Sequence, residues 1–276
     1  MDQSPIAVSE YDNFRRYLED ACGIVLGENK HYLVTSRLKR VTEEFSFPSL
    51  SEMMSTLVKG NDRNLREKVI DAMTTNETMW FRDIYPFKIL TNELLPELAK
   101  NKSPIRIWSA ASSTGQEAYS ISMSISEFQQ SNPGKLSSPV EIVGTDISQT
   151  VVNKAKQGRY DELSVVRGLE PQRRDKFFSK KDDDWVIRPE IMQRTRFTEL
   201  NLLNNYSLLG KFDIIFCRNV LIYFSSEMKK DILERMAAIL KPGGIIVLGG
   251  SESPTGYTKA FSMVRYPDGV VYRLND

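Results

Sequence analysis

The chain has a single histidine, His31, and only two cysteines, Cys22 and Cys217, in 276 residues. A Ser/His/Asp triad needs its histidine beside an activated serine, and nothing around His31 has that form. A zinc site needs clustered Cys and His ligands; the sequence holds no such cluster, so no metal is expected. Two cysteines far apart in sequence suit a reducing compartment, and no disulfide is expected. No apolar run reaches the roughly 18 residues of a membrane span. The stretch Met1 to Glu10 is polar and lacks the apolar centre of a signal peptide. These absences predict a soluble, cytoplasmic protein without membrane insertion. Charge of one sign is missing as well. Lys plus Arg is 37 and Asp plus Glu is 36, a net charge of +1, which is no footprint for nucleic acid. Internal repeats and low-complexity tracts are also lacking.

What is present is organised around Ile105-Arg106-Ile107-Trp108-Ser109-Ala110-Ala111-Ser112-Ser113-Thr114-Gly115-Gln116-Glu117. A short apolar run reads as a buried strand, the small residues as a tight turn, and Gly-Gln-Glu as a helix start. Strand, small-residue turn and helix N-terminus together make a nucleotide-type cradle. Small side chains let a ligand approach the backbone, and first-turn N–H groups face its polar or anionic part. Only Gly115 in this turn is a glycine, so G-x-G-x-x-G is not formed. A pyrophosphate needs close backbone approach at several points; an adenosyl ligand with a carboxylate and a cationic sulfur asks for less.

Before the cradle, residues 9 to 75 read as a small helical module. Ser9 is the expected N-cap of a first helix carrying Tyr11, Phe14, Tyr17 and Leu18 at helical spacing. A second helix spans about Lys30 to Phe45, with Leu33, Val34, Leu38, Val41 and Phe45 as its buried stripe. Lys30, Arg37, Lys39 and Arg40 are basic, and no acid falls between Lys30 and Arg40. The run is either a solvated helix face or an electrostatic dock for an acidic partner. A third helix starts at Pro48-Ser49 and ends at Gly60, and a fourth is capped by Asn61 or Asp62. Thr74 to Asp83 joins this module to the next, and it spends Trp80 and Phe81 where a plain linker would not. Tyr85 to Lys100 reads as another helix.

After the cradle, Val140 to Gly144 is a second strand ending in Thr145-Asp146-Ile147-Ser148. The two carboxylate oxygens of Asp146 match the two adjacent hydroxyls of a ribose; a helix N-cap is the alternative role. Residues 159 to 198 break the alternation of strand and helix. Phe177-Phe178 and Trp185 to Arg188 look like two strands around a charged turn, with Arg194 to Thr198 as an expected third. Phe212 to Phe216 is a buried strand that leads into Cys217 to Phe224. Ligands of open α/β sheets bind outside the carboxyl ends of strands, which assigns Asn219 and Tyr223 to the site. Ser225 or Ser226 begins a helix, Lys241 to Gly244 stops it, and Ile245 to Leu248 is a strand. Phe261 to Val264 and Val270 to Leu274 read as a closing antiparallel pair.

Five motifs carry a resemblance: Thr75-Asn76-Glu77-Thr78-x-x-Phe81-Arg82, Ala111 to Glu117, Gly144 to Ser148, Asn201-Leu202-Leu203, and Phe216 to Phe224. Together they resemble the CheR-type chemotaxis receptor methyltransferases, which esterify glutamates with S-adenosyl-L-methionine (AdoMet). The family usually has Cys where Ser112 stands and often Pro where Ala118 stands. The resemblance implies an α/β fold: a Rossmann-like AdoMet-dependent methyltransferase domain with a mostly parallel seven-stranded sheet whose last strand is antiparallel. It also implies a small all-α N-terminal domain and an inserted antiparallel β-subdomain. The expected divisions are 1–74, a linker at 75–90 that contributes to the cofactor site, and 91–276 with the insertion at about 172–199. AdoMet, released as S-adenosyl-L-homocysteine, would contact Asn76, Thr78, Arg82, Glu117, Asp146, Asn201, Leu202, Asn219 and Val220. Arg82 and Tyr223 would lie nearest the transferring methyl. The partner would be the cytoplasmic methylation helices of chemoreceptors, met by Lys30, Arg37, Lys39 and Arg40. Some members bind a receptor tail peptide through a longer, Gly-rich hairpin loop. Here Ser179 to Asp184 is short, charged and glycine-free, so no such tether is expected, and the protein is expected to be a monomer.

The chemistry agrees with the missing histidine. A glutamate acceptor is already ionised at neutral pH and needs no general base. Positioning and partial desolvation are then the expected sources of rate. A nucleic-acid methyltransferase is disfavoured by the balanced charge and the lack of an Asn-Pro-Pro-Tyr element. A nicotinamide oxidoreductase is disfavoured by the missing glycines. A binding protein without turnover is the remaining rival, and the intact set of site residues argues against it.

Overall fold

Apolar residues at helical spacing, stopped by caps and glycines, build the first part of the chain. The computed structural model describes residues 6–60 and 62–275. Contacts divide the chain into two units, Met1–Thr75 with Tyr223–Met228, and Asn76–Ile222 with Lys229–Asp276. The first unit contains α1 (Val8–Cys22), α2 (His31–Glu44), α3 (Leu50–Val58) and α4 (Arg63–Met73). Tyr11, Phe14 and Leu18 of α1 are buried, as are Val34, Leu38 and Val41 of α2, Met53 and Leu57 of α3, and Leu65, Val69 and Met73 of α4. Leu33 and Phe45 are only half-buried at the margins of their stripe. The Ser49 hydroxyl accepts from the Glu52 N–H at 3.2 Å, and the Asp62 carboxylate from the Leu65 N–H at 3.0 Å. Asn61, the other candidate cap, lies outside the described residues.

Ser9 is not the cap of α1. The helix starts at Val8 behind Ala7, and the Ala7 N–H donates to Glu10 Oε2 at 3.1 Å. An acid in the first turn satisfies this backbone donor, so no hydroxyl is needed there. The connection to α2 is fastened by Tyr11, whose hydroxyl donates to the Gly27 carbonyl at 2.7 Å and accepts from the Lys30 N–H at 3.2 Å. The His31 ring stacks on Tyr11 with centroids 3.8 Å apart. The one histidine is thus part of the packing of the helical unit.

The second unit begins with an irregular segment and then a helical stretch made of α5 (Tyr85–Ile89), a π turn (Leu90–Leu94) and α6 (Leu95–Ala99). The π turn falls just before Pro96, which has no N–H to continue the ladder. There follow β1 (Ile105–Ala110), α7 (Gln116–Ser131), β2 (Val140–Asp146) and α8 (Gln149–Gln157). The inserted part holds β3 (Arg159–Tyr160), α9 (Glu162–Val166), α10 (Pro171–Phe177), β4 (Phe178–Lys181), β5 (Asp184–Ile187) and α11 (Pro189–Met192). The chain closes with β6 (Thr195–Glu199), β7 (Phe212–Cys217), α12 (Ser226–Ala238), β8 (Leu240–Leu248), β9 (Phe261–Tyr266) and β10 (Gly269–Leu274).

Seven strands form one sheet in the order β6-β2-β1-β7-β8-β10-β9. Pairing is parallel from β6 through β8, and β10 runs antiparallel to both its neighbours. The expected architecture is therefore present, with the last strand reversed. Near-continuous burial along Ile105–Ala110 and Phe212–Cys217 is what a parallel sheet covered on both faces demands.

Two expectations about this unit need correction. Thr195–Glu199 is not a third strand of the hairpin. It pairs in parallel with β2 at the edge of the main sheet, and the small sheet takes Arg159–Tyr160 instead, in the order β3-β5-β4. The inserted sheet accordingly spans 159–187 rather than about 172–199. Phe197 explains the choice, because its ring fills the face of Gly144, where a Cβ would come within 2.4 Å of it. The strand expected at Ile245–Leu248 begins earlier, at Leu240, and takes in Lys241 to Gly244. Leu240 already pairs with Phe212, and the register shifts before Ile214 and Ile245, so these residues are an irregularity inside β8. The join at Thr74 to Asp83 is no plain spacer, as its aromatics suggested: Trp80 and Phe81 are buried in the main core. Among the described residues no helix is long and apolar enough to cross a membrane.

Candidate active site

Five parallel strands end side by side. Glu199 of β6 is opposite Asp146, Thr145 opposite Ala110, Ala110 opposite Cys217, and Cys217 opposite Leu248. Every cofactor residue expected between Glu117 and Val220 lies at or just beyond one of these ends. Asn201 and Leu202 follow β6, Asp146 closes β2, Glu117 follows β1, and Asn219 and Val220 follow β7. Such a row of strand ends is where open α/β sheets bind ligands.

The turn after β1 is tight. Ala111 and Ser113 have φ of 54° and 50°, and Gly115 has φ of 95°. Gly115 is required twice over, by its left-handed backbone and because a Cβ would press on Ala155, Phe197 and Tyr119 at 3.0–3.2 Å. Asp146 braces the turn. Its Oδ2 accepts from the Ser113 N–H at 2.9 Å and its Oδ1 from the Ser148 N–H at 3.0 Å. The N-cap role belongs to Ser148, whose hydroxyl accepts from the Val151 N–H at 3.3 Å. On the other side, the Ser113 hydroxyl donates to the Asn76 carbonyl at 2.8 Å. Asn76, the cradle and Asp146 thus form one connected group. Asn201 folds its own turn by accepting from the Leu203 N–H at 3.0 Å, and Leu202 is buried.

The segment carrying Thr78 and Arg82 is held by distant groups. The Trp80 indole N–H donates to the Ser164 carbonyl at 2.9 Å, and the Trp80 backbone N–H to the Arg167 carbonyl at 3.2 Å. Glu77 pairs with Arg167, and that guanidinium holds its carboxyl below the usual carboxylate range. The Phe81 N–H donates to the Ser120 hydroxyl at 3.0 Å. Phe81, Asp83 and Ile84 have φ of 48°, 67° and 57°, a strained run for residues with side chains. Arg82 sits inside it, half-buried, with Nη1 donating to the Glu77 carbonyl at 3.3 Å.

Arg218 ties this segment to the strand ends, and it was not among the residues expected from sequence. Its side chain is 1% exposed. Nη1 donates to Glu117 Oε2 at 3.0 Å, while Nη2 donates to the Arg82 carbonyl at 2.9 Å and to Asp83 Oδ2 at 2.6 Å. The other Glu117 oxygen accepts from the Ser109 hydroxyl at 2.7 Å. Glu252, also missed, accepts from the Asn219 N–H at 2.7 Å. An arginine directly after a buried strand run was the available signal for Arg218. Glu252 follows a Gly-Gly-Ser turn and carried no signal of its own. Burial pushes the Cys217 thiol upward, with Glu252 and Glu117 adding to the shift, so it is no thiolate nucleophile. Among the described residues no group of His, Cys, Asp and Glu could hold a metal ion.

The remaining expected residues fall in the helical unit. Tyr223 groups there, and its carbonyl accepts from the Val25 N–H at 2.9 Å. Lys30, Lys39 and Arg40 are exposed. Arg37 is engaged internally, donating to the Met73 and Thr74 carbonyls at 2.5 and 3.2 Å and to the Thr75 hydroxyl at 2.9 Å. It caps the C-terminus of α4, because its position on α2 turns toward that helix.

The family description "CheR methyltransferase, SAM binding domain" matches residues 76–270, and "CheR methyltransferase, all-alpha domain" matches residues 9–74. The chain is 53% identical to chemotaxis protein methyltransferase 1 of Vibrio cholerae serotype O1, over 98% of each chain. It is 49% identical to chemotaxis protein methyltransferase 1 of Pseudomonas aeruginosa, over 97% of this chain and 98% of that one. With the chemotaxis protein methyltransferase of Salmonella typhimurium it shares 32% identity over 91% and 87%.

Removing Arg218 leaves two carboxylates without their cation, at a cost toward the lower end for buried pairs because Asp83 is 41% exposed. Arg218→Met is expected to lower unfolding free energy by about 3 kcal/mol in urea titrations. Unchanged stability would show that the guanidinium does not hold these elements together.

Proposed function

The chain belongs to the CheR methyltransferase family, an AdoMet-dependent class, and on that premise we propose how its residues carry out receptor methylation. The reaction moves a methyl group to glutamate carboxylates of chemoreceptors, giving methyl esters and S-adenosyl-L-homocysteine. The single observation that carries the assignment is the row of strand ends with Asp146 at the end of β2, beside the cradle that follows β1. The Asp146 carboxylate holds the Ser113 and Ser148 N–H groups at the end of β2, and its two oxygens match the two adjacent hydroxyls of a ribose. That pair of acceptor oxygens fits the ribose of an adenosyl group. Asn76, Thr78, Arg82 and Glu117 are proposed to line one part of the same site, with Asn201, Leu202, Asn219 and Val220 lining the rest.

When bound, AdoMet supplies an electrophilic methyl on a cationic sulfur. The chain need not remove a proton, since the acceptor carboxylate is ionised at neutral pH. Arg82 is proposed to orient that carboxylate. Its own loop is fixed by Arg218 at the Arg82 carbonyl, so the guanidinium starts from a rigid base. Tyr223 is proposed to hydrogen-bond beside the acceptor oxygen. Orientation and exclusion of water then supply the rate, without acid–base work.

Receptor docking is proposed to use Lys30, Lys39 and Arg40, with Arg37 contributing mainly by fixing α2 to α4. An acidic helical substrate is the complementary partner. A tail-peptide tether is not proposed, because the β4–β5 turn is only Asp182-Asp183, acidic and without glycine. The protein is proposed to act as a cytoplasmic monomer.

Two measurements test this reading. Asp146→Ala is expected to weaken AdoMet binding by about 1.5–3 kcal/mol in calorimetry, the worth of hydrogen bonds to a charged acceptor; unchanged affinity would remove Asp146 from the site. With radiolabelled AdoMet and purified receptors, the wild-type chain is expected to deposit base-labile label. Lys39→Glu combined with Arg40→Glu is expected to lower that labelling roughly tenfold, less in high salt, with AdoMet affinity intact. Full labelling by this variant at low salt would refute the dock.

A further inference from the structure

The turns after β7 and β8 are locked to each other by one carboxylate. The Glu252 N–H donates to the Gly249 carbonyl at 2.9 Å, which folds the side chain back over the end of β8. Glu252 Oε2 then accepts from the Gly249 N–H at 2.9 Å and from the Asn219 N–H at 2.7 Å. Oε1 accepts from the Ile222 N–H at 3.3 Å. The residue is 9% exposed, and these three backbone donors take the place of water around its carboxyl group. Asn219 has φ of 58°, a conformation that asparagine tolerates but does not prefer over the extended regions.

Gly249 completes the lock. A Cβ there would come within 2.7 Å of Glu252 Oε2, 2.9 Å of Asn219 Nδ2 and 3.0 Å of the Asn219 nitrogen. The Asn219 amide therefore lies directly against the glycine backbone. The partners of Glu252 are Asn219, the residue just before Tyr223, and the glycine that lets them approach. We propose that Glu252 is a positioning residue for the methyl-transfer site: its carboxylate sets the left-handed turn at Asn219 and so presents the Asn219 side chain to the nucleoside. The inference rests on the reading of Asn219 as a cofactor residue.

The two short bonds share one oxygen. Glu252→Gln can therefore keep both with its carbonyl and forfeits only the long bond to Ile222. Glu252→Ala loses all three. Calorimetric titration with S-adenosyl-L-homocysteine, without receptor, is expected to give about ten- to a hundredfold weaker binding for Glu252→Ala. Glu252→Gln is expected to stay within about fivefold of wild type, and Gly249→Ala to fall with Glu252→Ala. The receptor KM should not move. Asp213→Asn serves as a control for lost stability, since Asp213 accepts from the Arg106 N–H and pairs with Lys241 at the other end of the sheet. It is expected to lower Tm and leave affinity unchanged. Asn219→Ala, titrated in parallel, separates the two claims. If it binds normally, the cofactor reading of Asn219 fails and this inference with it. If Asn219→Ala loses affinity while Glu252→Ala binds within threefold of wild type, only the positioning role of Glu252 is overturned. It is overturned too if Gln and Ala lose affinity equally alongside equal losses of Tm.

Discussion

The guanidinium of Arg218 is the constraint on which the rest of the site depends. It is taken almost wholly out of water, which is costly unless its donors are matched. Its two terminal nitrogens are matched by Glu117 from the first turn of α7, and by Asp83 and the Arg82 carbonyl from the strained loop, while Nε is buried without a partner among the described residues. Arginine suits the position because its planar fork serves partners in two directions, which a lysine ammonium cannot do with the same geometry. Through this one side chain the end of β7, the start of α7 and the Arg82 loop become a single body. The left-handed residues Phe81, Asp83 and Ile84 would otherwise relax toward ordinary conformations.

The same device recurs along the strand ends. Asp146 holds the cradle by accepting from Ser113 and the start of α8 by accepting from Ser148. Glu252 holds the Asn219 turn. In both cases a carboxylate with little exposure holds backbone groups of a loop in place. Loops fixed in this manner lose little further entropy when a ligand arrives, which is what preorganisation means energetically. The reaction suits such a site. An ionised carboxylate needs aiming more than it needs a base, and the one histidine is occupied with Tyr11 in the helical unit.

Much of this was legible from residue order because the signals are local. The Ile105–Glu117 stretch announced strand, turn and helix by apolar run, small residues and Gly115. The positions of Asp146 and Asn219 at strand ends were legible because the apolar runs before them marked β2 and β7. What was not legible depends on partners far away in sequence. Thr195–Glu199 alternates like a hairpin strand, and only Phe197 settling on Gly144 sends it to the main sheet. Trp80 sits in a join, and its core role depends on Ser164 and Arg167 of the insertion. Arg37 reads as one more base in a basic run until the geometry of α2 turns it onto α4. Arg218 and Glu252 are the same kind of case, since a buried charge is recognised by its partners, and those lie 135 and 33 residues away at Asp83 and Asn219.

The central claim is that a nucleoside lies across these strand ends with its ribose on Asp146. A crystal structure of the chain with S-adenosyl-L-homocysteine measures this directly. The account predicts both ribose hydroxyls within hydrogen-bond distance of the Asp146 carboxylate, with the bonds from Ser113 and Ser148 intact. A nucleoside seated elsewhere, or an Asp146 carboxylate turned away from the ribose, would contradict it.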